Sequence, residues 1–202
     1  MTPLQAMLLI GPTGSGKTPL GDWLETHGLN GRRCHHFDFG TCLRRISSGE
    51  TSGPFDASEL HYIQDVVQKG LLLDNETFCI ALRILEAFIK IRCVEPHHLL
   101  IMNGLPRHVG QADALAGHID FIALIHLHCT GQVVWERLRL NSGGDRGQRT
   151  DDTLELVERK LAIFEKRTEP LLAYYRARGV PAIIVDVDAA TQPAEICANI
   201  AG

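Results

Sequence analysis

Residues Gly11-Pro12-Thr13-Gly14-Ser15-Gly16-Lys17-Thr18 match the pattern G-x-x-x-x-G-K-[ST]. Between a buried strand and a helix, that pattern is a device for gripping phosphate. Glycines let the backbone curl so that its N–H groups point inward at phosphate oxygens. A helix beginning at Lys17 adds partial positive charge at its N-terminus. In this reading Gly11, Gly14, Ser15 and Gly16 shape the cradle. Lys17 reaches the β- and γ-phosphates, and Thr18 offers its hydroxyl to magnesium. The motif implies a bound nucleoside phosphate, and by itself it does not choose among kinases, GTPases and ATPases.

Moving a phosphoryl group needs positioning, and cations where charge spreads in the transition state. Ligands of open α/β sheets bind beyond the carboxyl ends of the strands. Arg44 follows the second apolar run, Arg107 the third, and Arg137 sits on the helix after the fourth. Arg146 and Arg149 lie in a glycine-rich loop just before Asp151-Asp152. Any one arginine reads as a solvated surface residue. Together, at the same predicted rim and beside a complete phosphate loop, they read as a second anion site.

The elements that must position these residues alternate. Apolar runs at Ala6 to Ile10, Cys34 to Phe39, His98 to Met102, Phe121 to His128 and Ala182 to Val187 predict strands. Helices are expected at Lys17 to His27, Gly40 to Ser48, Ala57 to Gln68, Glu76 to Cys93, Gln111 to Ala116, Thr130 to Leu140 and Pro193 to Ile200. In the long helix from Glu76, Ala81, Leu82, Leu85 and Phe88 share one face. Asp151 to Arg178 reads as one long helix bent near Pro170, after a mobile loop from Asn141 to Thr150. Strands separated by helices imply parallel pairing with right-handed crossovers. Continuous apolar strands imply helices on both faces. The expectation is one α/β domain over residues 1–202, with a three-layer architecture and a five-stranded parallel sheet.

Composition limits the partners. The chain has 202 residues, is 45% hydrophobic and carries a formal charge of -4. That charge gives no reason to expect nucleic acid or an acidic membrane, so any positive field must be local. No apolar run approaches membrane-spanning length. The opening Met1-Thr2-Pro3-Leu4-Gln5 lacks a basic n-region, and the expected location is the cytoplasm. The six cysteines form no Cys-x-x-Cys pair and read as reduced and structural. The ten histidines, including His126 and His128 two apart on a strand, show no metal-ligand spacing with an acidic partner. Trp23 and Trp135 read as packing residues on helices.

In register, these pieces resemble the adenylate kinases, within the nucleoside monophosphate kinases. Gly40 to Arg44 resembles the family's acceptor-holding segment, and Gly70 to Glu76, with Leu73, its stretch lining the acceptor base. Asn103-Gly104-Leu105-Pro106-Arg107, with Gln111, is similar to its D-G-F-P-R-x-x-x-Q signature. Arg137 to Asp152 resembles a short lid, and Thr168 to Tyr175 its T-x-P-L-x-x-Y-Y run. The resemblance implies that ATP with Mg²⁺ donates to a nucleoside monophosphate, with AMP the first candidate. Arg44 and Arg107, beside Gly104, would hold the acceptor phosphate. Gln111 would bond the acceptor base. Arg137 and Arg149 would close over the donor, with Arg146 as an extra and Asp151 orienting them. It also implies a mobile acceptor segment near 39–70, a zinc-free lid near 138–151 and a monomer.

Several positions depart from the family's pattern. Asn103 and Thr41 stand where aspartates are common, which removes charge from the metal side, although Asn103 keeps an oxygen for metal-bound water. Pro19 follows Thr18 in the donor site, which leaves Thr18 as the metal-side hydroxyl. Phe39 replaces a small hydroxyl residue near the acceptor. Asn141 and Lys160 replace arginines, with Arg146 and Arg159 nearby. Gln111 favours a purine acceptor, and Phe39 leaves CMP, UMP or a small metabolite open. Asn103 and Asn141 favour a regulatory nucleotide-binding module that has lost catalysis, and Lys17, Arg44, Arg107 and Arg149 oppose it.

Overall fold

Alternation along the first strand decides the layering. In β1 (Leu4–Ile10), Ala6, Leu8 and Ile10 join one apolar core while Met7 and Leu9 join another. Successive strand side chains point to opposite faces, so a strand that is apolar throughout needs cover on both. The computed structural model describes residues 3–51, 53–144 and 153–200. Its sheet has five parallel strands in the order β2-β3-β1-β4-β5, where β2 is Cys34–Asp38, β3 Leu99–Asn103, β4 Ile119–His128 and β5 Ala182–Asp186. The predicted strands and the three-layer architecture are therefore present.

One face is covered by α1 (Lys17–His27) through Leu20 and Leu24, and by α9 (Pro193–Ile200) through Ile196 and Ile200. The other is covered by α2 (Phe39–Ser47), α3 (Ala57–Lys69), α4 (Phe78–Ile91) and α5 (Val109–Leu115). The remaining helices are α6 (Gly131–Leu140), α7 (Leu154–Ile163) and α8 (Pro170–Arg176). On α4, Ala81 and Leu85 are buried and Leu82 and Phe88 pack against the same core, on the predicted face. No helix among the described residues is long and apolar enough to cross a membrane. Among the described residues all six cysteines are free thiols.

Several boundaries differ from expectation by one or two residues, β1 and β4 each beginning two residues earlier and α4 running from Phe78 to Ile91, and two differences have identifiable physical reasons. Strand β2 ends at Asp38, not Phe39, because the Asp38 carboxylate accepts the Thr41 N–H at 2.8 Å and caps α2. The long C-terminal helix is interrupted well before Pro170. Phe164–Thr168 form a π-helical turn, closed by Glu169 N–H donating to the Phe164 carbonyl at 2.9 Å. Pro170 has no N–H and crowds the carbonyl four residues back. Widening the preceding turn relieves that conflict, and such bulges are frequent at functional sites.

Among the described residues five histidines are buried: His35, His36, His98, His108 and His126. His35 Nε2 lies 3.1 Å from His98 Nδ1, at the end of the sheet away from the phosphate loop. Burial first, then positive neighbours, pushes His35 below its ordinary value, and burial also lowers His98 and His126. A lowered folded pKa means that the unfolded chain binds more protons on acidification, so stability is lost as pH falls below the ordinary value of 6.5. The expected result is a urea midpoint that drops between about pH 7.5 and pH 5.5; an unchanged midpoint would contradict neutral burial of these rings.

Candidate active site

The loops leaving β1, β2 and β3 open into one cleft. Its floor is the phosphate loop. Gly14 and Gly16 have φ of +78° and +98°, values that side chains rarely adopt. A Cβ on Gly11 would sit 2.6 Å from Ser15 Oγ and 2.7 Å from the Leu127 carbonyl. Lys17 Nζ donates to the carbonyls of Gly11 and Pro12 at 2.7 and 2.6 Å. Helices α2, α3, α5, α6 and α7 each carry a side-chain cap, whereas α1 begins at Gly16 with none. α4 and α8 also lack a side-chain cap, but α1 alone of these three follows a phosphate loop, where an anion can satisfy the first N–H groups of a helix. Ser15 is fully buried beneath the loop, and Thr13 and Pro19 line the cleft beside Lys17 and Thr18.

Beside Lys17 lies a carboxylate that the motif reading missed. Asp38 Oδ2 accepts the Thr18 hydroxyl at 2.7 Å and the Asn103 Nδ2 amide at 3.0 Å, while Oδ1 accepts the Thr41 N–H. Burial works to raise this carboxyl. Hydrogen bonds from Thr18 and Thr41, with the positive charge of Arg44, outweigh burial and hold it below the ordinary carboxylate range. Behind Asn103, His36 Nε2 is 3.5 Å from the amide, His36 Nδ1 bonds Asp22 Oδ1 at 2.8 Å, and the ring packs on Gly21. An acidic residue at a strand's carboxyl end, between a phosphate loop and an arginine, was the available signal for Asp38. The Thr18 hydroxyl and the Asp38 carboxylate form a hard-oxygen donor set, which suits magnesium shared with substrate phosphates.

Arg44, Gly104 and Arg107 line the same cleft. Arg44 Nη2 donates to Thr41 Oγ1 at 2.8 Å. The surrounding protein pushes the Arg107 guanidinium below its ordinary value, and the Asp38 carboxylate opposes that. The backbone of Arg107 is held at both ends: its N–H donates to Gln111 Oε1 at 2.8 Å, and its carbonyl accepts the Thr168 hydroxyl at 2.8 Å.

The other predicted acceptor residues lie elsewhere. Gln111 is buried and its Nε2 donates to the Leu73 carbonyl at 3.0 Å, so its amide is engaged at both atoms by the backbone. Leu73 is buried in the core. Phe39 is buried there too, its ring 6.1 Å from that of Phe37. Val66, Val67 and Leu71 form an apolar wall instead, facing Lys160, Phe164 and Thr168. Of the two basic residues at 159 and 160, Lys160 is the one that lines the cleft.

Arg137 is buried beside Gly16 and lines the cleft. It donates to the carbonyls of Gly14, Asp188 and Thr191 at 3.1, 2.5 and 3.3 Å, which braces the phosphate loop against the end of the chain. Asn141 caps α6 in a left-handed conformation. Arg146, Arg149, Asp151 and Asp152 lie outside the described residues. Far from this cleft, ligand atoms of Glu95, His97 and His98 lie within 4.8 Å of one another, and His98 Nδ1 already accepts the Glu95 N–H.

A five-stranded parallel sheet with a phosphate loop after its first strand, and cations at the adjoining strand ends, defines a P-loop kinase fold. Relatives narrow that class. An adenylate kinase of Rhodopirellula baltica (strain DSM 10527 / NCIMB 13988 / SH1) is 32% identical over 201 residues, covering 96% of this chain and 92% of the relative. An adenylate kinase of Synechococcus sp. (strain WH7803) is 30% identical over 194 residues, covering 92% and 90%. No family model matches the chain. Among solved structures, a gluconokinase from Sinorhizobium meliloti 1021 superposes with a TM-score of 0.53 at 18% identity, covering 98% of this chain and 90% of that one, a likeness of fold. The chain belongs to the adenylate kinase family and is an adenylate kinase-like phosphotransferase.

The engaged amide of Gln111 has a measurable consequence. Gln111→Ala removes the side-chain acceptor of the Arg107 N–H and leaves the Leu73 carbonyl with the His108 Nε2 contact alone of its two side-chain donors, and should destabilise the fold by about 1–3 kcal/mol. Urea denaturation measures this. A stable variant altered only in acceptor KM would instead assign Gln111 to the substrate.

Proposed function

We propose that this chain transfers the γ-phosphoryl group of ATP, bound with magnesium, to a nucleoside monophosphate, with AMP as the acceptor. One observation carries the reading: Lys17 and the pair Arg44 and Arg107 line a single cleft, with Thr18, Asp38 and Asn103 between them. The donor phosphates rest on the loop from Gly11 to Thr18, where Lys17 exchanges carbonyl partners for phosphate oxygens. Thr18 and Asp38 would hold the magnesium that accompanies ATP, which would supply neutralisation of the phosphate charge.

Arg44 and Arg107 hold the acceptor's phosphate and aim one of its oxygens at the γ-phosphorus. A phosphate monoester is already anionic near neutral pH, so the acceptor needs no general base. Val66, Val67 and Leu71 offer the base an apolar wall. Arg137 keeps the loop in its phosphate-binding shape. The names of the relatives support AMP, and the chain acts as a monomer.

A second reading keeps the mechanism and changes the acceptor to a small hydroxylated metabolite. It is favoured by the internal engagement of Gln111 and Phe39, the residues expected near the acceptor. ADP formation across AMP, CMP, UMP and gluconate, with Lys17→Ala as the blank, separates the two. The expected result is fastest turnover with AMP, reduced at least about 100-fold by Lys17→Ala. Lys17-dependent turnover with gluconate alone replaces the acceptor, and no turnover with any of them rejects the reading.

A further inference from the structure

We propose that Asp38 is the metal-side carboxylate of this chain, carrying at the end of β2 the negative charge that the family's pattern places at positions 41 and 103. The inference rests on the cleft being an ATP site, and not on which acceptor is used.

Three observations converge on Asp38. Its Oδ2 is 2.7 Å from the hydroxyl of Thr18, the residue that follows the phosphate-loop lysine. Asp38 lines the cleft together with Lys17 and Thr18. Its other oxygen is tied to the N-terminus of α2 through the Thr41 N–H, which fixes the carboxylate's direction. A carboxylate beside a phosphate-loop hydroxyl is the arrangement by which P-loop enzymes hold magnesium against β- and γ-phosphate oxygens.

The neighbouring residues fit an Asp38 that is charged. Asn103 donates its amide N–H to Asp38 at 3.0 Å and to Thr18 at 3.2 Å. An aspartate at 103 would bring a second carboxylate to that distance, and two such groups resist joint ionisation. Asn103 instead donates to that carboxylate, and the Thr41 N–H is a second donor to it. The alternative role, general base toward a hydroxyl acceptor, suits Asp38 poorly. Both its oxygens already accept hydrogen bonds, which favours the ionised form and weakens it as a base.

The test uses a non-hydrolysable ATP analogue, adenylyl imidodiphosphate, titrated calorimetrically with magnesium and with EDTA. Mn²⁺ electron paramagnetic resonance reads the metal directly. Asp38→Asn keeps an oxygen able to cap α2, and a melting curve checks that the variant folds. The expected result is that Asp38→Asn does not weaken metal-free analogue binding, since it removes a negative charge beside the phosphates, but reduces the gain from magnesium by about tenfold or more, and loses the bound Mn²⁺ signal. Asp38→Asn combined with Asn103→Asp returns a carboxylate to the same place and should recover the gain. The proposal is overturned if Asp38→Asn keeps the full magnesium gain, or if it weakens metal-free and metal-loaded binding equally. Failure of the AMP reading looks different: metal-linked analogue binding stays intact while no turnover occurs with AMP.

Discussion

Parallel register across β1, β3 and β2 is the constraint on which the cleft depends. Asn103 pairs with Leu9 on one side and with Asp38 on the other, so the start of the phosphate loop, the neutral amide and the carboxylate stand side by side. Because these strands are buried on both faces, a slip of one residue would turn every side chain to the wrong core. Two separate cores therefore lock the register from opposite sides. The geometry of the phosphate site is in this sense a product of hydrophobic packing some distance from it.

Charge is organised locally against a mildly acidic whole. The chain's formal charge is -4, yet Lys17, Arg44, Arg107, Arg137 and Lys160 line one cleft. In such a partly buried site, charges interact more strongly than in water, so the positive field that suits phosphate is concentrated in the cleft. Asp38 is set among these cations and is stabilised by them and by its hydrogen bonds. Arg137 has a different part. Its bonds to Gly14, Asp188 and Thr191 join the loop to the segment after β5, giving the cradle a rigid backing.

The acceptor side is braced from two directions. Gln111 holds the Arg107 N–H and links it to Leu73, while Thr168 holds the Arg107 carbonyl from the π-helical turn. His108 completes the link: its Nε2–H donates to the Leu73 carbonyl at 3.3 Å and its Nδ1 accepts the Gln111 N–H. Fixing the backbone at both ends positions the guanidinium before a ligand arrives, which lowers the ordering cost of binding. Pro170 contributes at a distance, since the turn it forces places Thr168 and Phe164 at the cleft.

Much of this was legible in the chain itself. The phosphate loop, the start of α1 at Lys17, the five apolar runs and the helix at Pro193 to Ile200 follow from spacing and periodicity, which are properties of neighbouring residues. Arg44 and Arg107 were legible because each follows a strand, and strand ends converge by the rules of parallel sheets. Tertiary structure alone decided the rest. Asp38 meets Asn103 from 65 residues away, and Thr168 meets Arg107 from 61. Gln111 turns to the backbone and Phe39 to the core, although their types suited a ligand. A polar side chain has several possible partners, and which of them it meets is set by strand register and crossovers, which no local pattern encodes.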